Sequence, residues 1–126
     1  RLKSDLADLI EHAIDGKIDQ VEAQWDSRTA LGVVLAAGGY PDNPKKGDVI
    51  QGLAADSEDA HVFHAGTAMK GADIVTNGGR VLCVTAMGHN VRTAQKRAYE
   101  VAAHIRFDGM QMRHDIGHHA ISVRKP

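Results

Sequence analysis

An α+β fold, with an antiparallel sheet flanked by helices, is what this 126-residue sequence predicts. Three observations carry that expectation. Apolar residues recur at helical spacing in two separate segments, near residues 2–14 and 91–105. Short β-prone runs bounded by turn residues lie between them. Two of those runs flank Asn77-Gly78-Gly79, and Asn-Gly is the favoured pair for a tight hairpin. The resulting order is helix, strands, hairpin, helix, strand, which suits an antiparallel sheet with helices beside it.

Each element has a local reason. Leu2, Leu6, Leu9, Ile10 and Ala13 form one apolar helix face, with Asp5 and Asp8 near the start to suit the helix dipole and Gly16 as a stop. A polar link runs through Trp25 to Ala30–Ala37, a short apolar run that reads as a buried strand. From Gly38 to Gly47 the composition is that of a turn, with two early glycines, Pro41, Pro44 and a lysine pair. His61–Gly66 reads as a strand, and Ile74–Thr76 and Val81–Ala86 as the arms of the hairpin. Asn90 is a good helix N-cap. Val91, Ala94, Ala98, Val101, Ala102 and Ile105 then share a face whose small alanines let a helix lie close to a sheet. Asp108-Gly109 makes a turn, and residues 110–121 read as a last strand with an irregular end.

Composition narrows the function classes. The length fits one compact domain, and 43% hydrophobic with 25% charged residues is ordinary for a globular protein. Aromatic content of 4% leaves the core to aliphatic side chains. A net charge of −1 gives no reason to expect nucleic acid or an anionic membrane as partner. The charge is uneven, with four bases and seven acids in residues 1–30 but seven bases and three acids in 92–126. Cys83 is the only cysteine, so no intrachain disulfide can form and nothing points to secretion. No apolar run approaches the roughly 20 residues of a membrane span, and a cytoplasmic location is expected. The first residue is Arg1 with a helix pattern already under way, which reads as a piece of a longer polypeptide.

Four features carry candidate chemistry. Gly38-Gly39 follows an apolar run and precedes lysines, yet it lacks the spacing of a phosphate-binding P-loop and no helix pattern follows it directly. It reads as an exit turn, and whether Tyr40 or the glycine amides face a cleft stays open. His114, His118 and His119 invite a metal, but no cysteine or well-placed carboxylate completes a ligand set, and no metal site is expected. Cys83 sits in an apolar run and reads as a small buried hydrophobe. Arg80 stands directly after Gly78-Gly79, where backbone N–H groups beside a guanidinium can hold a phosphate or carboxylate. An exposed arginine that merely starts a strand is the equal alternative at this level.

The motifs "RLKSDL", "LGVVLAAGGYP", "KGDVI.GL", "VFHAGT", "VTNGGRVLCVTAMG", "AQKRAYE" and "DIG..AI", in this order and across nearly the whole chain, closely resemble the C-terminal part of phosphoribosylamine–glycine ligases. The resemblance implies an ATP-grasp ligase of de novo purine synthesis, which joins glycine to 5-phosphoribosylamine with ATP and Mg²⁺ through a glycyl phosphate. It implies that residues 1–21 are the helical tail of the ATP-grasp region and 22–126 the C-terminal domain, with a barrel-like antiparallel sheet. The nucleotide clamp and acidic metal ligands of the family precede "RLKSDL", so the ATP and metal sites are expected on the rest of the ligase chain. This piece alone is then expected to be inactive. By analogy with related ATP-grasp purine enzymes, Arg80 is implied to bind the substrate phosphate. Gly78, Gly79, Thr67 and Lys70 stand beside it in that reading, and Arg1 is a second basic candidate. The rival expectation is a stand-alone small-molecule-binding or interaction domain of the same fold.

Overall fold

The computed structural model describes residues 1–53 and 57–122. Three helices and five strands are present among them: α1 (Leu6–Ile14), β1 (Thr29–Ala36), β2 (Ala60–His64), β3 (Thr67–Lys70), β4 (Asp73–Thr76), β5 (Arg80–Gly88), α2 (Val91–Ala102) and α3 (His118–Ser122), with one 3₁₀ turn at Ile18–Gln20. The α+β expectation holds. The strands form two antiparallel sheets, one ordered β1-β5-β2 and the other β3-β4, and among the described residues they do not close into the barrel that the resemblance implied.

Strand β5 is the organiser. It pairs with β1 on one edge, Val33 opposite Val84, and with β2 on the other, Val62 opposite Val84. Alternation then places Leu31, Val33, Leu35, Leu82, Val84, Ala86 and Val62 on one face, and all are buried. Helix α2 covers that face. Asn90 caps it as expected, its side chain accepting the Thr93 N–H at 2.8 Å, and Ala94, Ala98 and Ala102 are wholly buried against the sheet. Seating is close enough that a Cβ on Gly88 would lie 2.6 Å from the Ala94 nitrogen. The helix ends at Ala102 rather than 105, but Ile105 and Phe107 still reach into the same core.

Two sequence expectations fail here. Asn77-Gly78-Gly79 is not a hairpin turn, because β4 pairs with β3 while β5 pairs with β1 and β2. The segment is a corner between two sheets, and neither Gly78 nor Gly79 has the positive φ that a tight Asn-Gly hairpin turn requires. The two-residue hairpin is at Gly71-Ala72, between Lys70 and Asp73, with Gly71 at φ +63°. The expected last strand over 110–121 is also absent. Gln111 makes one bridge to Ala36, after which the chain bends through Gly117 (φ +84°) into α3. Met110 and Met112 do pack on the core, and that brief alternation is what resembled a strand.

Helix α1 starts four residues later than its apolar pattern. Asp5 accepts N–H bonds from Ala7 and Asp8 and so fixes the first turn, while Leu2 is drawn into an extended bridge with Trp25. Its apolar stripe of Leu6, Ile10 and Ile14 lies open to solvent, and no residue of the helix is buried.

Candidate functional site

The Asn77–Arg80 corner is built from close backbone approach. A Cβ on Gly66 would lie 2.8 Å from the Gly78 Cα and from the Arg80 carbonyl oxygen, so the β2–β3 link and the β4–β5 link pack main chain on main chain. Asn77 N–H donates to Gly66 O at 2.7 Å, and Gly66 N–H to Arg80 O at 2.9 Å. On the other side, Ala37 N–H donates to Gly79 O at 2.8 Å, which ties the end of β1 to the same corner.

That tie brings the two glycine-rich motifs together. After Ala37 the chain turns through Gly38-Gly39-Tyr40-Pro41, where Gly39 has φ +82° and the Tyr40-Pro41 peptide is cis. Asn43 N–H donates to Gly39 O at 2.9 Å, and Lys45 N–H to Gly38 O at 2.8 Å. The Tyr40 ring then lies against Gly79, close enough that a Cβ there would be 2.3 Å from its Cδ2. Farther along, Gly47 N–H donates to Thr76 O at 2.7 Å, so the whole loop braces the corner from outside.

A bulge aims Arg80. The β1–β5 register slips between Leu35 and Ala36, so Ala36 faces Arg80 although Leu35 faces Leu82. The extra residue, Val81, is wholly buried. The slip breaks strict alternation, and Arg80 lines the same open cavity as Cys83 and Val34. This cavity measures about 510 Å³ and is walled by Tyr40 and Gly79 as well. Of the arginine side chains among the described residues, only those of Arg80 and Arg92 have no hydrogen bond or ion pair to a protein group. Arg80 is exposed at the cavity edge. An unpaired guanidinium beside peptide backbone is suited to an anion that presents two oxygens.

The other residues picked out from the sequence are placed differently. Thr67 opens β3 opposite Thr76, near the corner, and its hydroxyl meets His64 Nδ1 at 3.1 Å. Lys70 is at the far tip of the β3-β4 hairpin, three strand steps or about 10 Å beyond Thr67. Arg1 donates through Nε to Asp26 O at 3.0 Å, and it lines a separate, smaller cavity with Phe63 and Thr85 at the opposite end of the sheet. Thus Gly78, Gly79 and Arg80 come together, and Lys70 and Arg1 stand apart from them. Among the described residues, no three His, Cys, Asp or Glu side chains gather where a metal ion could sit. His114 instead stacks on Tyr99, with centroids 6.4 Å apart.

Two wall residues escaped sequence reasoning. The apolar neighbours of Cys83 predict a core position, yet it is half-buried on the uncovered sheet face. The sequence leaves the role of Tyr40 open, and only the missing side chain of Gly79 signals that a ring packs there.

Electrostatics around the corner are held by ion pairs that leave Arg80 alone. Lys45 bridges Asp108 and Asp48. The hydrogen bond it donates to Asp108, above all, pushes the Lys45 ammonium upward, and the same bond holds the Asp108 carboxyl below its ordinary range. At the far end of the sheet Arg28 binds Asp26 through a two-pronged contact of 2.8–3.1 Å and also reaches Asp59. Those hydrogen bonds hold the Asp26 carboxyl far below the usual carboxylate range.

Comparison with known proteins agrees with this architecture. The family described as "Phosphoribosylglycinamide synthetase, C domain" matches residues 30–119. The chain is 60% identical over 123 residues to phosphoribosylamine–glycine ligase of Vibrio vulnificus, covering 97% of this chain and 29% of that protein. It is 54% identical over 121 residues to the same enzyme of Ralstonia nicotianae, covering 96% and 29%. Among solved structures, phosphoribosylamine–glycine ligase from Thermotoga maritima superposes with a TM-score of 0.68 at 37% identity, covering 85% of this chain and 27% of that one. The chain therefore spans under a third of the length of these relatives. With the family matched over most of its residues and the fold shared with a solved relative, the chain belongs to the phosphoribosylglycinamide synthetase C-domain family.

Proposed function

We propose that this chain is the C-terminal domain of an ATP-dependent ligase that joins glycine to 5-phosphoribosylamine in purine synthesis, and that the Arg80 cavity receives the ribose phosphate. The observation that carries the site is Arg80 itself. It is an unpaired guanidinium at the edge of an open cavity, presented from a corner of bare glycine backbone. What these residues contribute is binding and orientation: a fixed phosphate holds the amine of the sugar in register with an activated glycine. Arg80 is the residue that grips, and Gly78 and Gly79 let Gly66 and Tyr40 pack closely enough to shape the corner that carries it. ATP and Mg²⁺ are assigned to the rest of the ligase chain, where bound ATP supplies the phosphoryl group that activates the glycine carboxylate. This reading makes the isolated 126-residue chain inactive and the ligase cytoplasmic. Among the described residues no helix is long and apolar enough to cross a membrane.

The open stripe of α1 supports the domain division. A helix that leaves Leu6, Ile10 and Ile14 in water is one whose packing partner lies elsewhere, and residues 1–21 fit the tail of the preceding ATP-grasp region.

Replacing Arg80 by alanine in the full-length ligase tests the site. Charge-assisted hydrogen bonds are worth roughly 1.5–3 kcal/mol, so KM for phosphoribosylamine is expected to rise about 10- to 150-fold with kcat little changed. An unchanged KM overturns the phosphate assignment.

A further inference from the structure

Gly79 poses a question that its own backbone does not answer. Its φ is not positive, so no turn geometry demands glycine there. What demands it is space: an added Cβ would lie 2.3 Å from Tyr40 Cδ2 and 2.8 Å from Cε2. The residue immediately before Arg80 is therefore kept bare so that one aromatic ring can lie on the peptide that carries Arg80. The backbone that carries the ring is itself anchored. Tyr40 N–H donates to Ala37 O at 3.2 Å, and its loop is tied back through Gly38 and Gly39. The ring is also a wall of the Arg80 cavity.

We infer that Tyr40 is a positioning residue for the phosphate site, acting through its ring on the Gly79–Arg80 peptide to fix the start of β5 and hence the direction of the Arg80 side chain. The inference rests on the assignment of Arg80 above. It commits to the ring rather than the hydroxyl, because the contact that excludes a side chain at Gly79 is made by Cδ2 and Cε2. Residues held by packing against a rigid element keep a binding group within the narrow tolerance that recognition needs.

A mutant cycle in the full-length ligase separates the alternatives. Tyr40→Ala is expected to raise KM for phosphoribosylamine roughly tenfold, as displacement of a positioned group does, with a smaller change in kcat. Tyr40→Phe is expected to restore KM to within about twofold of wild type, since the ring remains. Gly79→Ala alone is expected to raise KM as much as Tyr40→Ala, yet to cost little more in the Tyr40→Ala background, where the added Cβ has room. A melting temperature on each variant identifies any that fails to fold, and the Phe variant keeps the test open if the alanine variant does so. If Tyr40→Phe loses as much affinity as Tyr40→Ala, or the two alanine effects multiply independently, the positioning role is overturned. If Arg80→Ala raises KM and Tyr40→Ala does not, Tyr40 falls and the Arg80 site stands. If Arg80→Ala leaves KM unchanged, both fall.

Discussion

Replacing Ile10 by aspartate asks whether α1 belongs to this domain or to its neighbour in the ligase. Ile10 is 50% exposed, and its stripe-mates Leu6 and Ile14 are 58% and 79% exposed. Full burial of such a side chain is worth about 1.5–3 kcal/mol. A half-exposed isoleucine has realised only about half of that, so in the 126-residue chain the substitution should cost about 1 kcal/mol. Leu35, wholly buried beneath α2, sets the scale for a core position, and Leu35→Ala should cost about 2–5 kcal/mol. In the full-length ligase the open half of Ile10 is expected to be covered. Aspartate there loses the remaining burial and also sets a carboxylate against apolar surface, which brings the cost above about 2 kcal/mol. Urea unfolding of the short chain and thermal inactivation of the full-length ligase measure the two costs. The reasoning is refuted if Ile10→Asp damages the short chain as much as Leu35→Ala, or if it costs the long chain no more than the short one.

Two further outcomes follow from the packing and the charges. Ala98 is wholly buried between α2 and the sheet, so Ala98→Leu should overpack the interface and lower stability by about 1–3 kcal/mol in a urea titration. Acid unfolding should report Asp26: because Arg28 depresses its folded-state pKa, the folded state takes up that proton less readily than the unfolded chain. The resulting stability is complete above the ordinary aspartate value of about 4 and is lost as pH falls below it. Asp26→Asn should flatten that acid limb, and an unaltered pH profile would count against the pair.

Much of the fold was legible because its rules are local. The β1 run, the Asn90 cap and the alanine face of α2 lie within a residue or two of where periodicity puts them. The corner at Asn77-Gly78-Gly79 was not legible in the same way. Asn-Gly signals a turn through positive φ, whereas these glycines are used for clearance against Gly66 and Tyr40, and those neighbours are close only after folding. The β3-β4 hairpin was missed because Gly71-Ala72 is a weaker local signal than the Asn-Gly six residues on. At the candidate site, Arg80 stands out in the sequence by its place beside the glycines. Tyr40 does not, since about forty residues separate it from the peptide it touches. The opposite faces of the strands were equally hidden: an apolar run around Cys83 says that the strand is central, not that one side of it is uncovered.

The central place of β5 has a consequence for time as well as for shape. From Leu82 to Ala86 it is bonded on both edges and roofed by α2, so its amides should open to solvent last, while those of α1 and α3 fray independently. Arg80 is thus carried at the end of the segment expected to exchange slowest. The anion proposed for its guanidinium would meet a backbone that is already still, with only the rotamers of one side chain left to be settled.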